Sequence, residues 1–128
     1  MPERNSQSKP KALLVEDEFV AALHAQELLH RCGFEVVGPA RRVDEAIRFL
    51  EEQSDLRFAV LDVDLAGETV WPVARLLIER SVPFLLVTGD VQVQSKLPSD
   101  LKESKFLLKP LDENELLQIA NSILLRNH

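Results

Sequence analysis

Cysteine occurs once in these 128 residues, at Cys32, so no intrachain disulfide can staple the fold. It lies within an apolar helical pattern and reads as packing rather than redox chemistry. No apolar run approaches the ~18–20 residues of a membrane-spanning helix, and residues 1–10 lack the apolar core of a signal peptide. Basic residues are in deficit: 15 Lys and Arg stand against 21 Asp and Glu, a formal net charge of −6. That balance argues against the clustered basic surface a phosphate-backbone binder needs. Direct contact with nucleic acid or a membrane is not expected, and the expected location is the cytoplasm.

What is present is the composition of an ordinary globular domain, 45% hydrophobic and 28% charged. Residues 1–10 are polar and proline-flanked, which reads as a disordered leader, and residues 11–128 read as one domain. Short apolar runs then alternate with helical patterns. Ala12-Leu-Leu-Val15, Phe34-Glu-Val-Val37, Phe58-Ala-Val-Leu61, Phe84-Leu-Leu-Val87 and Phe106-Leu-Leu108 are strand candidates. Most are apolar without alternation, as a parallel sheet covered on both faces requires.

The helices between them have readable ends. Residues 20–32 place Ala21, Ala25, Leu28, Leu29 and Cys32 on one face, with Gly33 as a left-handed stop. Val43, Ala46, Ile47 and Leu50 recur at helical spacing. A third helix is expected from Pro72, with Trp71 held outside it and serving loop packing. The last opens at Asp112, which can cap it, and turns Leu116, Ile119, Ala120 and Ile123 inward. Between Asp90 and Lys105 the polar, Pro98-broken sequence allows at most a short helix, the weakest connection. Five βα units with right-handed crossovers predict a doubly wound, five-stranded parallel sheet in an α/β fold.

In such sheets ligands bind beyond the carboxyl ends of the strands. The residues there are Glu16-Asp17, Asp62, Thr88-Gly89 and Lys109-Pro110. Carboxylates that converge raise one another's pKa, so a cation is needed to keep them charged, and few oxygen ligands favour Mg²⁺. An aspartate beside a bound metal, a lysine and a hydroxyl suits phosphoryl transfer onto the aspartate itself. His24, His30 and His128 show no ligand spacing and read as surface residues.

The motifs Val15-Glu-Asp-Glu18, Val60-Leu-Asp62, Val87-Thr-Gly89 and Leu108-Lys-Pro110, in this order over residues 11–126, resemble the receiver domains of two-component response regulators. The segments around Asp62 and Thr88 are similar to stand-alone receivers of the alphaproteobacterial type. The resemblance implies a flavodoxin-like (βα)5 fold with strand order 2-1-3-4-5 and Asp62 as phosphoacceptor. It implies Asp17 as direct Mg²⁺ ligand, Glu16 through water, and the Asp64 backbone carbonyl as a further ligand. Thr88 then matches the switch hydroxyl, Lys109 the phosphate-contacting lysine, and Lys109–Pro110 a cis peptide. Phe106 occupies the place of an aromatic switch residue, often tyrosine, and lacks the hydroxyl.

Asp64 and Asp90 flank the entrance to the resembling site, and two acids there predict a negative mouth that slows anionic donors. Asp17 is also expected to cap the first helix. The implied partners are a histidine kinase or phosphotransfer protein and an unknown downstream protein, with homodimerisation left open. With no output domain expected beyond Arg126, signalling falls to the face of the fourth helix, fifth strand and last helix. The chain is expected to be a self-phosphorylating and self-dephosphorylating acceptor rather than a turnover enzyme. Two alternatives stay open: a haloacid-dehalogenase-type phosphatase using Asp62-Val-Asp64, and a pseudo-receiver scaffold that is never phosphorylated.

Overall fold

The computed structural model describes residues 8–126. Most of the expected leader and His128 lie outside the described residues. Residues 8–10 carry no regular secondary structure, and the Pro10 carbonyl already accepts from the Glu35 amide at 2.8 Å.

Five strands, β1 (Lys11–Val15), β2 (Glu35–Ala40), β3 (Leu56–Asp62), β4 (Phe84–Thr88) and β5 (Phe106–Leu108), form one parallel sheet. Numbered this way, their spatial order is 2-1-3-4-5. The helices are α1 (Phe19–Arg31), α2 (Val43–Glu52), α3 (Trp71–Glu79), α4 (Val93–Lys96) and α5 (Glu113–Arg126). A 3₁₀ turn, Ser99–Leu101, follows α4. The architecture is the doubly wound, flavodoxin-like one.

Side chains of a strand alternate between faces, so each apolar run feeds two cores. Leu13, Val15, Ala59, Leu61 and Leu86 join one buried cluster with Ala46, Leu50, Val73, Ala74 and Leu77 of α2 and α3. Ala12, Leu14, Phe58, Val60, Leu85 and Val87 join the other, with Ala25, Leu28, Leu29, Leu116, Ala120 and Ile123 of α1 and α5. Phe34 and Phe58 stack there with ring centres 5.4 Å apart. Burying each such side chain is worth roughly 1.5–3 kcal/mol. This two-sided burial is why the strands read as unbroken apolar runs.

Several boundaries differ from the sequence expectation. β2 does not stop at Val37 but continues through Gly38 and a cis Gly38–Pro39 bond to Ala40. Proline is tolerated because β2 is an edge strand, where a missing N–H breaks no second ladder. Gly38, at φ +108, admits no side chain: a Cβ there would stand 2.6 Å from the Leu14 carbonyl oxygen. On α1 it is Ala22, not Ala21, that is buried, while Cys32 packs at the C-cap and Gly33 takes φ +97. Trp71 is the first helical residue of α3 rather than outside it. The Val70 carbonyl accepts from both Val73 and Ala74 amides at 3.0 and 3.1 Å, which draws the first turn back past Pro72. Ile119 is half-buried rather than buried.

A ribbon between β3 and α3 was not expected. Asp64–Leu65 pairs antiparallel with Glu68–Thr69 around Ala66 and Gly67, whose φ values of +49 and +88 have the signs of a type I′ turn.

Candidate functional site

Among the described residues three polar side chains are buried, Glu16, Asp62 and Thr88, and all three sit at the carboxyl edge of the sheet. β1 delivers Glu16 and Asp17, β3 delivers Asp62, and β4 delivers Thr88. The bulged end of β2 fixes the first of these, since the Glu16 amide donates to the Ala40 carbonyl at 2.8 Å. The cis Lys109–Pro110 bond follows β5, and the Lys109 amide donates to the Thr88 carbonyl at 2.8 Å. The expected set converges.

Carboxylate oxygens of Glu16, Asp17 and Asp62 lie within 4.8 Å of one another. Lys109 Nζ lies 3.1 Å from Glu16 Oε1 and 3.4 Å from Asp62 Oδ2. Burial, then the charge of Glu16, pushes the Asp62 carboxyl up to about 7, with Lys109 pulling the other way. Burial works against the charge on Lys109, but its hydrogen bond to Glu16 and the charge of Asp62 raise its pKa overall. One lysine thus leaves the cluster short of positive charge. Three oxygen donors, partly buried and close enough to share one ion, fit a small hard divalent cation such as Mg²⁺.

Asp17 does not cap α1. The residue flanking that helix is Glu18, which makes no side-chain cap, and its amide instead donates to Glu16 Oε2 at 3.1 Å. Asp17 Oδ2 accepts from the Ala66 amide at 3.1 Å, which ties the first acid loop to the ribbon after β3. Capping by Asp112 does occur: its Oδ2 accepts from the Glu115 amide at 2.9 Å.

The remaining candidates stand outside the cluster. Asp64 is exposed on the ribbon. Phe106 is half-buried and packs against the α2 and α3 side of the sheet. His24 and His30 are exposed, as expected, and Cys32 is buried, which pushes its thiol up. Asp90 carries more structure than its sequence context suggested. Its amide donates to Thr88 Oγ1 at 3.0 Å, and its Oδ1 accepts from the Gln92 amide at 2.9 Å. Its Oδ2 holds Lys96 Nζ at 2.6 Å. The mouth is therefore not the purely negative one expected, because Lys96 stands against Asp90. Sequence reasoning missed this lysine, whose polar surroundings carry no pattern.

A cavity of about 440 Å³ opens beside the acids, lined by Val20, Ala21 and His24 of α1 together with Glu16, Asp62 and Lys109. Phe19, Val20 and Leu23 expose large apolar surface next to it, at 73%, 67% and 51%.

Five parallel strands in this order, with buried acids, a hydroxyl and a lysine at their carboxyl ends, give this chain the fold of response regulator receiver domains. It is similar to SdrG from Sphingomonas melonis Fr1, at 28% identity and a TM-score of 0.76, over 91% of this chain and 97% of that one. It is likewise similar to a CheY-like receiver domain from Methylobacillus flagellatus, at 25% identity, TM-score 0.76, covering 91% and 99%. The signal receiver domain of an HD domain-containing protein from Pseudomonas fluorescens Pf-5 matches at 25% identity, TM-score 0.78, covering 94% and 98%. No family model and no curated protein matches the sequence. Among the described residues no helix is long and apolar enough to cross a membrane.

Proposed function

We propose that this chain is a response regulator that accepts a phosphoryl group on Asp62 from the histidine of a kinase or phosphotransfer protein, with Mg²⁺ held by Asp17, Asp62 and, through water, Glu16. The observation that carries the reading is the confinement of polar burial to this one edge: Glu16, Asp62 and Thr88 are the buried polar residues described. Burying acids is costly unless something compensates them, and function is the economical reason to retain them.

With Mg²⁺ bound, Asp62 would be held as the carboxylate, so the nucleophile would need no general base. An Asp62 oxygen forms a bond to phosphorus as the phosphorus–nitrogen bond to the donor imidazole breaks. A proton taken up on the other ring nitrogen lets the imidazole leave neutral. Bound Mg²⁺ would supply charge neutralisation for the phosphoryl oxygens. Lys109, already within 3.4 Å of Asp62, offsets a further charge, and Thr88 can turn its hydroxyl proton to a phosphoryl oxygen. Exposed Val20 lines the cavity that reaches Asp62, and with the exposed Phe19 and Leu23 of the same helix it suits the apolar side of a histidine-bearing helix.

Intact-mass measurement with acetyl phosphate and Mg²⁺ is expected to show one added phosphoryl group, abolished by chelator and by Asp62→Asn. Labelling of Asp62→Asn equal to the wild type refutes the assignment. Steady release of phosphate from a generic monoester favours the phosphatase alternative instead, and exposed Asp64 is poorly placed for the acid/base role it has there.

A further inference from the structure

Beyond Lys109, a second cation stands at this edge of the sheet. Lys96 ends α4, a helix of 4 residues, and reaches back 6 positions to bond Asp90. Asp90 in turn is locked to the end of β4, through its amide on Thr88 Oγ1 and its Oδ1 on the Gln92 amide. The ammonium therefore hangs from the same loop that carries Thr88. It also feels Asp64 across the mouth: the hydrogen bond and charge of Asp90, and then the charge of Asp64, raise its pKa. Asp64 follows Asp62 by two positions and Asp90 follows Thr88 by two, so both acids that act on Lys96 leave the strand ends carrying the acceptor and the hydroxyl.

The two lysines differ in their freedom. Lys109 is 30% exposed and lies against two carboxylates of the cluster. Lys96 is 63% exposed and is held by a single carboxylate. Such an exposed pair is weak and exchanges readily with solvent or with another anion. A phosphodonor dianion carries more charge than the Asp90 carboxylate and competes for the ammonium directly.

We propose that Lys96 is the group that receives the anionic phosphodonor at the rim, leaving Asp90 for the incoming phosphoryl oxygens and guiding them toward Asp62. The inference rests on the reading of Asp62 as phosphoacceptor and adds to it a residue that distinguishes donors by charge. Asp90 then acts as a holder, keeping the ammonium beside the mouth while the site waits.

The test compares initial phosphorylation rates by intact mass, with Mg²⁺, for the dianionic acetyl phosphate and the monoanionic phosphoramidate near neutral pH. At low salt, Lys96→Gln is expected to slow acetyl phosphate by roughly three- to tenfold, and phosphoramidate by clearly less. The gap is expected to close as the Debye length contracts to about 8 Å near physiological ionic strength. Lys96→Arg is expected to keep the wild-type ratio between donors. Unchanged rates in Lys96→Gln overturn the proposal, and so does equal slowing with both donors, which marks a loop-holding role only. A wild-type chain that takes up no phosphoryl group from either donor instead removes the reading of Asp62, and this inference with it.

Discussion

Asp62 is held where its charge is least welcome. Its carboxyl is pushed up to about 7, first by burial and then by Glu16, whereas the unfolded chain holds such a group near 3.8. The folded state therefore binds the proton more tightly, and stability is lost as pH rises from about 4 through about 7. Asp62→Asn removes that penalty. In chelator at pH 8 the variant is expected to be more stable than the wild type by on the order of 1–3 kcal/mol, a difference that shrinks toward pH 4 and on adding Mg²⁺. Urea unfolding at several pH values checks this, and a difference independent of pH would contradict it. The acids, Thr88 and Lys109 were legible in the sequence because each directly follows an apolar run. Lys96 was not, because its role arises only when α4 folds back on Asp90.

Elements were legible in proportion to their periodicity. The five strands and the long helices announce themselves by two-faced apolar runs and by i, i+3, i+4 spacing. The ribbon after β3 has strands of 2 residues each, too short to carry any period, and its one clue was Ala66-Gly67. Pro72 was expected to open α3 and lies in its first turn, one residue after the observed start at Trp71, while β2 runs on through Pro39 because an edge strand accommodates proline. Ala66 is the costly residue of the ribbon, since a non-glycine residue at φ +49 pays roughly 1–2 kcal/mol for crowding its Cβ. Ala66→Gly keeps the amide that Asp17 accepts from and relieves the crowding. Allowing for the greater freedom of glycine in the unfolded chain, we expect a gain of about 0.5–1 kcal/mol, a rise of a few degrees in Tm. A fall in Tm would show that the side chain, not the turn, sets the balance.

Across the whole molecule, the site and its surroundings differ in how firmly they are held. β1, β3 and β4 are buried in both cores, whereas α4 is 4 residues long and contributes Val93 as its buried residue. Thr88 connects the two regimes, because the amide of Asp90 bonds its hydroxyl oxygen and Asp90 holds α4 through Lys96. A Thr88 that turns toward a phosphoryl group disturbs this chain of bonds at low cost. Amide exchange is expected to change on phosphorylation within residues 88–101 and along β5 and α5. A change confined to residues 20–50 would place the response elsewhere. The doubly wound parallel sheet follows from five βα units with handed crossovers, and its strand order from the resemblance, but the response depends on free-energy differences too small to read from patterning.

The protein contains no tyrosine and one tryptophan. Trp71 opens α3 directly after Val70, whose amide donates to the carbonyl of Val63, the neighbour of Asp62, at 3.1 Å. The indole is half-buried against the α2 and α3 side of the core. Near-ultraviolet absorption and fluorescence therefore come from a single chromophore on the segment leaving the acceptor, with no tyrosine emission to subtract and no energy transfer to disentangle. The chain carries its own optical probe, so a titration at Asp62 can be followed on unlabelled material at micromolar concentration.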